Sequence, residues 1–179
     1  MLETEADTVL LFEDECSLSN TATVSYAWAE QGKQPLIKQQ QRKRERLTLF
    51  GCVDYLSGQV IAKTAQRGNS KSFKAFLQKV LFTYKKQKLV MVLDNVRYHH
   101  AKKLQPFLQA KKERLELVFL PAYSPHLNAM ERVWWWMRKK ITHKRALLSI
   151  KERKKRFWQL FSHYQNPNHD IVKLCTLPL

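Results

Sequence analysis

An α/β fold built on a mixed sheet flanked by helices is what this 179-residue sequence predicts. Three observations predict it. An apolar segment near the N-terminus and two further strand-like segments, joined by the turn signal Leu56-Ser57-Gly58, give three strands mostly in hairpin order. Stretches with apolar residues at helical spacing follow them. Two short runs apolar enough for buried strands, KLVMVL and LELVFL, are separated by such a stretch. Strands and helices therefore alternate through the second half, which favours parallel pairing through crossover connections.

The elements follow in order. Residues 7–13 (DTVLLFE) form a first short strand, and residues 24–29 are a candidate second extended piece. Residues 46–55 (RLTLFGCVDY) alternate, with Leu47, Leu49, Gly51, Val53 and Tyr55 on one side, and residues 59–65 (QVIAKTA) return as a hairpin partner. Ser70 can cap a helix whose apolar residues Phe73, Phe76, Leu77, Val80, Leu81 and Tyr84 recur with the 3.6 period. A central strand at 88–93 precedes a helical stretch over about 99–112, with Pro106 at an early-turn or kink position. Residues 115–120 give the last strand. A helix begins near Asn128, a very basic one covers about 147–164, and the last dozen residues are expected to be loosely ordered. No repeat or low-complexity linker interrupts the chain. One domain over 1–179 is expected, with its core at about 7–164.

Charge narrows the function. Lys and Arg number 32 against 15 Asp and Glu, a net charge of +17. An excess that large points to a polyanionic partner, most often nucleic acid. An anionic membrane surface would call for a long apolar or amphipathic anchor, yet the longest apolar run near the N-terminus is 9–12, with Asp14 just beyond. Neither a signal peptide nor a membrane span is read. Cys16, Cys52 and Cys175 are odd in number and widely spaced, which suits reduced packing thiols in a cytoplasmic protein. Residues 138–156 hold ten Lys or Arg and one acid, Glu152, a bias that favours phosphate contact over a merely solvated face. A second basic run, 40–46 (QQRKRER), reads as a loop between strands. No GxGxxG or Walker loop, no GxSxG elbow and no zinc-type Cys/His spacing is present, which sets aside nucleotide-binding, serine-hydrolase and zinc readings.

Against this basic background three acids occupy particular positions. Asp14 follows the first strand, Asp94 follows the 88–93 strand, and Glu131 lies on the first turn of the helix after the last strand. They are 80 and 37 positions apart, so only folding can bring them together at one sheet edge, where the strands' carboxyl ends gather functional groups. Clustered carboxylates repel unless a cation neutralises them, and Mg²⁺ prefers a few carboxylate oxygens together with water and phosphate. Each acid also has an ordinary role open to it. Glu131 three residues after Asn128 matches a capping-box variant. Asp94-Asn95 suits a turn after a strand. Asp14, between Glu13 and Glu15, could mark an exposed strand end. Alternation puts Leu10, Phe12 and Asp14 on one face of the strand and Glu13 and Glu15 on the other.

Nearby residues divide similarly. His99 and His100 have a structural or solvent-facing role as the default, with a contact near the metals or a phosphate as the functional alternative. On the Glu131 helix, Met130, Val133, Trp134, Met137 and Ile141 share one face, so Trp134 belongs to the core, Glu131 sits at the stripe's edge, and Trp136 points away to cover another helix or to meet DNA or a partner.

The phrases FEDECSLS, VLDNVRYHHAKKL and LPAYSPHLNAMERVWWWMRKK resemble the catalytic domain of mariner-like insertion-sequence transposases, members of the DDE transposase and integrase superfamily with a ribonuclease H-like fold. The resemblance runs from about residue 7 to about residue 160. Two positions depart from the family pattern: His126 stands where Asp is frequent, and Ala129 where Pro is frequent. The resemblance implies that Asp14, Asp94 and Glu131 are the catalytic, metal-binding acids and that the cofactor is Mg²⁺ or Mn²⁺, as two ions. It implies hydrolysis of a DNA phosphodiester at a transposon end, followed by attack of the freed 3′ hydroxyl on target DNA. Expected partners are those DNAs and a helix-turn-helix segment that is separate or encoded upstream, since this chain starts almost directly on the first catalytic strand; a homodimer is left open. A nucleic-acid-binding remnant without catalysis, or a nuclease of the same fold, is the alternative.

Overall fold

The computed structural model describes residues 8–20, 28–33, 44–122, 124–141 and 149–176. Five strands form one mixed sheet in the order β3-β2-β1-β4-β5. Strands β1 (Thr8–Ser19), β2 (Arg46–Asp54) and β3 (Val60–Ala65) run antiparallel to one another, whereas β4 (Lys88–Leu93) and β5 (Leu115–Phe119) pair parallel on the other side of β1. Both the hairpin start and the parallel second half match the expectation. The β2–β3 turn is closed by Asp54, whose carboxylate accepts the Leu56 and Ser57 N–H groups, and Gly58 takes the positive φ of 69° that this turn requires.

Strand β1 is longer than the 7–13 segment expected from its apolar stretch. Its polar continuation stays in the sheet because β2 keeps pairing with it as far as Ser19↔Arg46. The extended piece expected at 24–29 lies mostly outside the described residues, and residues 28–33 form no strand. Helix α1 (Ser70–Thr83) is capped one residue earlier than expected. Asn69 accepts the Ser72 N–H, and Ser72 accepts the Asn69 N–H in return. The stretch expected as one helix at 99–112 is two short 3₁₀ turns, Arg97–His100 and Lys102–Leu104, followed by α2 (Gln105–Lys111) with Pro106 in its first turn.

Helices α3 (Ala129–Ile141), α4 (Ile150–Phe161) and α5 (His169–Thr176) complete the order. The sole acid of the basic run, Glu152, is explained by α4: it accepts the N–H of the cap residue Ser149, whose hydroxyl accepts the Glu152 N–H. The C-terminal residues expected to be loose instead form α5, which buries Ile171 and Cys175 and takes a cap from Asn168. Helices cover both faces of the sheet. Met130, Val133, Trp134, Met137, Phe157, Phe161 and Ile171 form one core with Cys16, Leu18 and Leu49. On the opposite face, Phe73, Phe76, Leu77 and Val80 of α1 pack with Leu11, Phe50, Leu89 and Met91. All three cysteines are free and buried. No helix among the described residues is long and apolar enough to cross a membrane.

Candidate active site

Strand register sets the first two acids. The parallel ladder between β1 and β4 ends at Phe12↔Val92; two residues further on, Asp14 inside β1 and Asp94, the first residue beyond β4, line one cleft. Asp14 is mid-strand rather than at a strand end, but it stands where its parallel neighbour stops. Ligand oxygens of Asp14, Asp94 and Glu15 lie within 4.8 Å of one another.

Helix α3 brings the third acid. Asn128 uses its side chain twice: its carbonyl accepts the Met130 N–H at 3.0 Å, and its amide donates to the Glu13 carbonyl at 2.7 Å. Trp134 Nε1 donates to the Asp14 carbonyl at 3.3 Å, and Arg138 Nε donates to Cys16 Sγ at 3.2 Å. Successive turns of α3 are thus moored to successive residues of β1. Glu131 takes no part in this mooring. Its N–H donates to the Asn128 carbonyl as ordinary helix start, and its carboxylate makes no return bond to Asn128. The capping alternative is therefore not what occupies this side chain. Glu131 stays exposed at the rim of a cleft of about 370 Å³ that Asp14, Asp94, Asn95, Ser124 and Asn128 also line.

The electrostatics are those of crowded acids. Burial, then the charge of Glu131 and weaker contributions from Glu15 and Asp94, push Asp14 up to about 8 against the hydrogen bond from the Glu15 N–H. One Asp94 oxygen is buried without a hydrogen-bond partner. The bottom of the cleft is thus short of positive charge, although the chain around it is strongly basic.

Sequence reasoning missed what lies behind this pair. His99 is 1% exposed; its Nδ1 lies 3.2 Å from the Asp94 carbonyl and its Nε2 3.2 Å from Glu15 Oε1, which also accepts the Tyr98 hydroxyl. Glu13 is wholly buried, and its pKa is driven well above the usual carboxylate range by burial first and the neighbouring acids second. Alternation separated Glu13 from Asp14 correctly, but it could not show that α1 buries that second face as well. His100, by contrast, is exposed and rests against Phe119 with ring centroids 4.3 Å apart. Trp134 is core, and Trp136 packs edge-on against Tyr164 at 5.0 Å, the covering role among those foreseen for it. Of the basic run, Arg138, Lys139, Lys140, Lys151, Lys154 and Lys155 are exposed on α3 and α4, while residues 142–148 and 40–43 lie outside the described residues. A second cavity of about 250 Å³, lined by Cys16, Trp134, Arg138 and Arg153 among others, holds no carboxylate and lies apart from the acids.

Comparison with known proteins places this arrangement. A family model described as DDE superfamily endonuclease matches residues 9–154. The "Insertion element IS630 uncharacterized 39 kDa protein" of Shigella sonnei is 24% identical over 179 residues, covering 96% of this chain and 51% of that protein. The Mos1 transposase paired-end complex with left transposon end superposes with a TM-score of 0.68 at 15% identity, over 91% of this chain and 49% of that one. The mariner Mos1 paired end complex with Mg gives a TM-score of 0.68 at 18% identity, over 93% and 52%. The chain thus spans about half the length of these relatives. The structural likeness shows the shared ribonuclease H-like fold, and the family match runs from β1 through the start of α4, across every segment that contributes to the cleft. On that match the chain belongs to the DDE superfamily of endonucleases.

Proposed function

We propose that this chain is a transposase catalytic domain that cuts DNA at transposon ends and joins the cut strand to target DNA, with Asp14, Asp94 and Glu131 as its metal-binding acids. The observation that carries the reading is the meeting, in one cleft, of three acids from segments 80 and 37 positions apart. The donor set fits hard divalent ions: carboxylate oxygens, one of them on Asp94 buried and unpartnered, beside Asp14, which burial and the charge of Glu131 keep from ionising freely. Mg²⁺ or Mn²⁺, as two ions, would supply Lewis-acid polarisation of the phosphodiester and a nucleophile usable at neutral pH. The Mos1 relatives, described in complexes with transposon ends and with Mg or Mn, support the choice of ion and substrate.

The chain's own residues hold and orient. Asp14 is fixed within β1, and Asp94 is the first residue beyond the parallel strand β4, so strand pairing brings the two close. Glu131 reaches in from α3, whose position is fixed by Asn128 and Trp134. The exposed cations of α3 and α4 would bind the flanking phosphate backbone and bring the scissile bond to the acids. The reaction needs no covalent link to the protein, and catalysis is by positioning and charge. A helix-turn-helix segment from outside this sequence would read the transposon ends, a homodimer would hold two ends together, and the three free thiols suit a cytoplasmic protein. The test is plasmid nicking with Mg²⁺ or Mn²⁺, with and without chelator. Asp94→Asn and Glu131→Gln are each expected to abolish metal-dependent nicking while leaving the circular dichroism spectrum unchanged. Wild-type cleavage rates in both variants would exclude the assignment.

A further inference from the structure

On the reverse face of β1, behind the cleft, stands a group that the proposed reaction does not use. Glu13 and Glu15 alternate with Asp14 along β1, on the side covered by α1 and the 3₁₀ turn Arg97–His100, and a Glu15 oxygen also reaches within 4.8 Å of the Asp14 and Asp94 oxygens. Glu13 is 0% exposed, and neither of its carboxylate oxygens has a hydrogen-bond partner. Ligand atoms of Glu13, Glu15 and His99 lie within 4.8 Å of one another.

The chemistry of these atoms is one-sided. His99 Nδ1 lies 3.2 Å from the Asp94 carbonyl, which can only accept, so Nδ1 carries the ring proton. In the neutral ring Nε2 is then a lone pair, and it faces Glu15 Oε1, another acceptor, at 3.2 Å. Both Glu13 oxygens add further acceptors. The Tyr98 hydroxyl donates to Glu15, whereas neither Glu13 oxygen receives a donor. Glu13 is wholly buried with no partner on either carboxylate oxygen, which is costly, and a cation held between it and Glu15 would satisfy it. A backbone carbonyl that holds Nδ1–H and turns Nε2 inward is the usual support for a metal-ligating histidine.

The geometry points to a binding site for one divalent transition cation formed by Glu13, Glu15 and His99, on the opposite face of the sheet from Asp14. An imidazole with two carboxylates selects Zn²⁺ or Mn²⁺ over Mg²⁺, which favours all-oxygen shells. The ion would be structural. It would fix the His99 ring, whose Nδ1 also lies 3.5 Å from Asp94 Oδ1, and so steady a cleft acid from behind. The site does not depend on the proposed transposition chemistry, and its test leaves that chemistry aside.

The full chain, stripped of metal, is titrated with Zn²⁺, Mn²⁺ and Mg²⁺, with Co²⁺ as a spectroscopic probe, in wild type and in the Glu13→Gln, His99→Gln and Glu131→Gln variants. Wild type and Glu131→Gln are expected to show a tight Zn²⁺ and Co²⁺ site that Mg²⁺ does not fill, with visible Co²⁺ absorption. Glu13→Gln and His99→Gln are each expected to lose one equivalent, or to weaken that site at least tenfold. X-ray absorption of the Zn²⁺-loaded wild type, which needs no variant to fold, should show one imidazole in an otherwise oxygen shell. Unchanged stoichiometry and affinity in Glu13→Gln, or a Zn²⁺ shell without imidazole, would overturn the proposal and leave a protonated Glu13 in its place. Loss of binding only in Glu131→Gln would likewise overturn it, since the ion would then belong to the cleft.

Discussion

Gly51 sits directly across the β1–β2 ladder from Asp14, on the face that receives α3. A Cβ there would stand 2.5 Å from Trp134 Cζ2 and 2.7 Å from Met130 Cε. The missing side chain is what lets the indole lie against the sheet and donate to the Asp14 carbonyl. Gly51→Ala is expected to destabilise the fold by about 1–3 kcal/mol through overpacking, and to slow metal-dependent nicking by shifting Glu131. Chemical denaturation and the nicking assay read the two effects. Adding Trp134→Phe should recover stability but not full activity, because the smaller ring relieves the clash without restoring the indole bond. Asn128 is the second such position, 3% exposed, with both ends of its amide engaged. Asn128→Ala strands the Glu13 carbonyl and the Met130 N–H, and should cost about 2–3 kcal/mol in the same denaturation measurement, with a matching loss of nicking. The local sequence showed Asn128 only as a helix-start residue. Its bond to Glu13, 115 positions away, belongs to the tertiary fold and leaves no mark in the neighbouring residues.

Elements were legible where one face decides them. The 3.6 period of α1 survives in the structure because that helix packs a single side, whereas β2 was read from its alternation although both of its faces are buried, Leu49 and Val53 in one core and Phe50 and Cys52 in the other. Strand β1 was read short because its second half is polar, and polar residues in a strand signal an end unless a partner strand is known to continue. Its two faces change roles along its length: Leu11 and Glu13 are buried toward α1, then Cys16 and Leu18 toward α3 and α4. A period-2 pattern that switches sides reads as no pattern, which is why alternation assigned Glu13 a face but not its burial. The α5 segment was passed over for a related reason. Its eight residues offer only Ile171 and Cys175 to the core, too few to show a period. Asp94 and Glu131 were placed by position, because one follows and the other opens an element whose ends the sequence marks, whereas Asp14, expected at a strand end, lies inside β1 and was set apart by the face it shares with Leu10 and Phe12. On α3 and α4 the six exposed cations make a further expectation. If they track a phosphate backbone, DNA affinity should fall about a thousandfold between about 50 and about 200 mM salt, measured by fluorescence anisotropy on a labelled duplex. A flat salt response would remove these helices from the DNA path.

At the scale of the whole molecule, a net charge of +17 surrounds a cleft in which burial and the neighbouring acids suppress the ionisation of Asp14. The unfolded chain ionises Asp14 near the ordinary 3.8, whereas the fold holds its proton up to about 8. Folding therefore gains from this group at low pH and loses the gain as pH climbs from about 4 to about 8; the raised Glu13 acts with the same sign. In chelator, the melting temperature is expected to fall between pH 5 and pH 8. Mg²⁺ or Mn²⁺ should reduce that fall, and Asp14→Asn should flatten it without metal. A melting temperature that rises over this interval in chelator would contradict the crowded-acid picture. The order of the sheet adds a consequence in time. Strand β1 emerges first during synthesis, yet its parallel neighbour β4 lies some 80 residues later, and the helix bearing Glu131 later still. A nascent chain therefore carries only separate parts of the proposed site until α3 has left the ribosome. Under the proposed function, a product that ends before α3 lacks Glu131 and is expected not to nick DNA, which the plasmid assay on such a truncated chain would check.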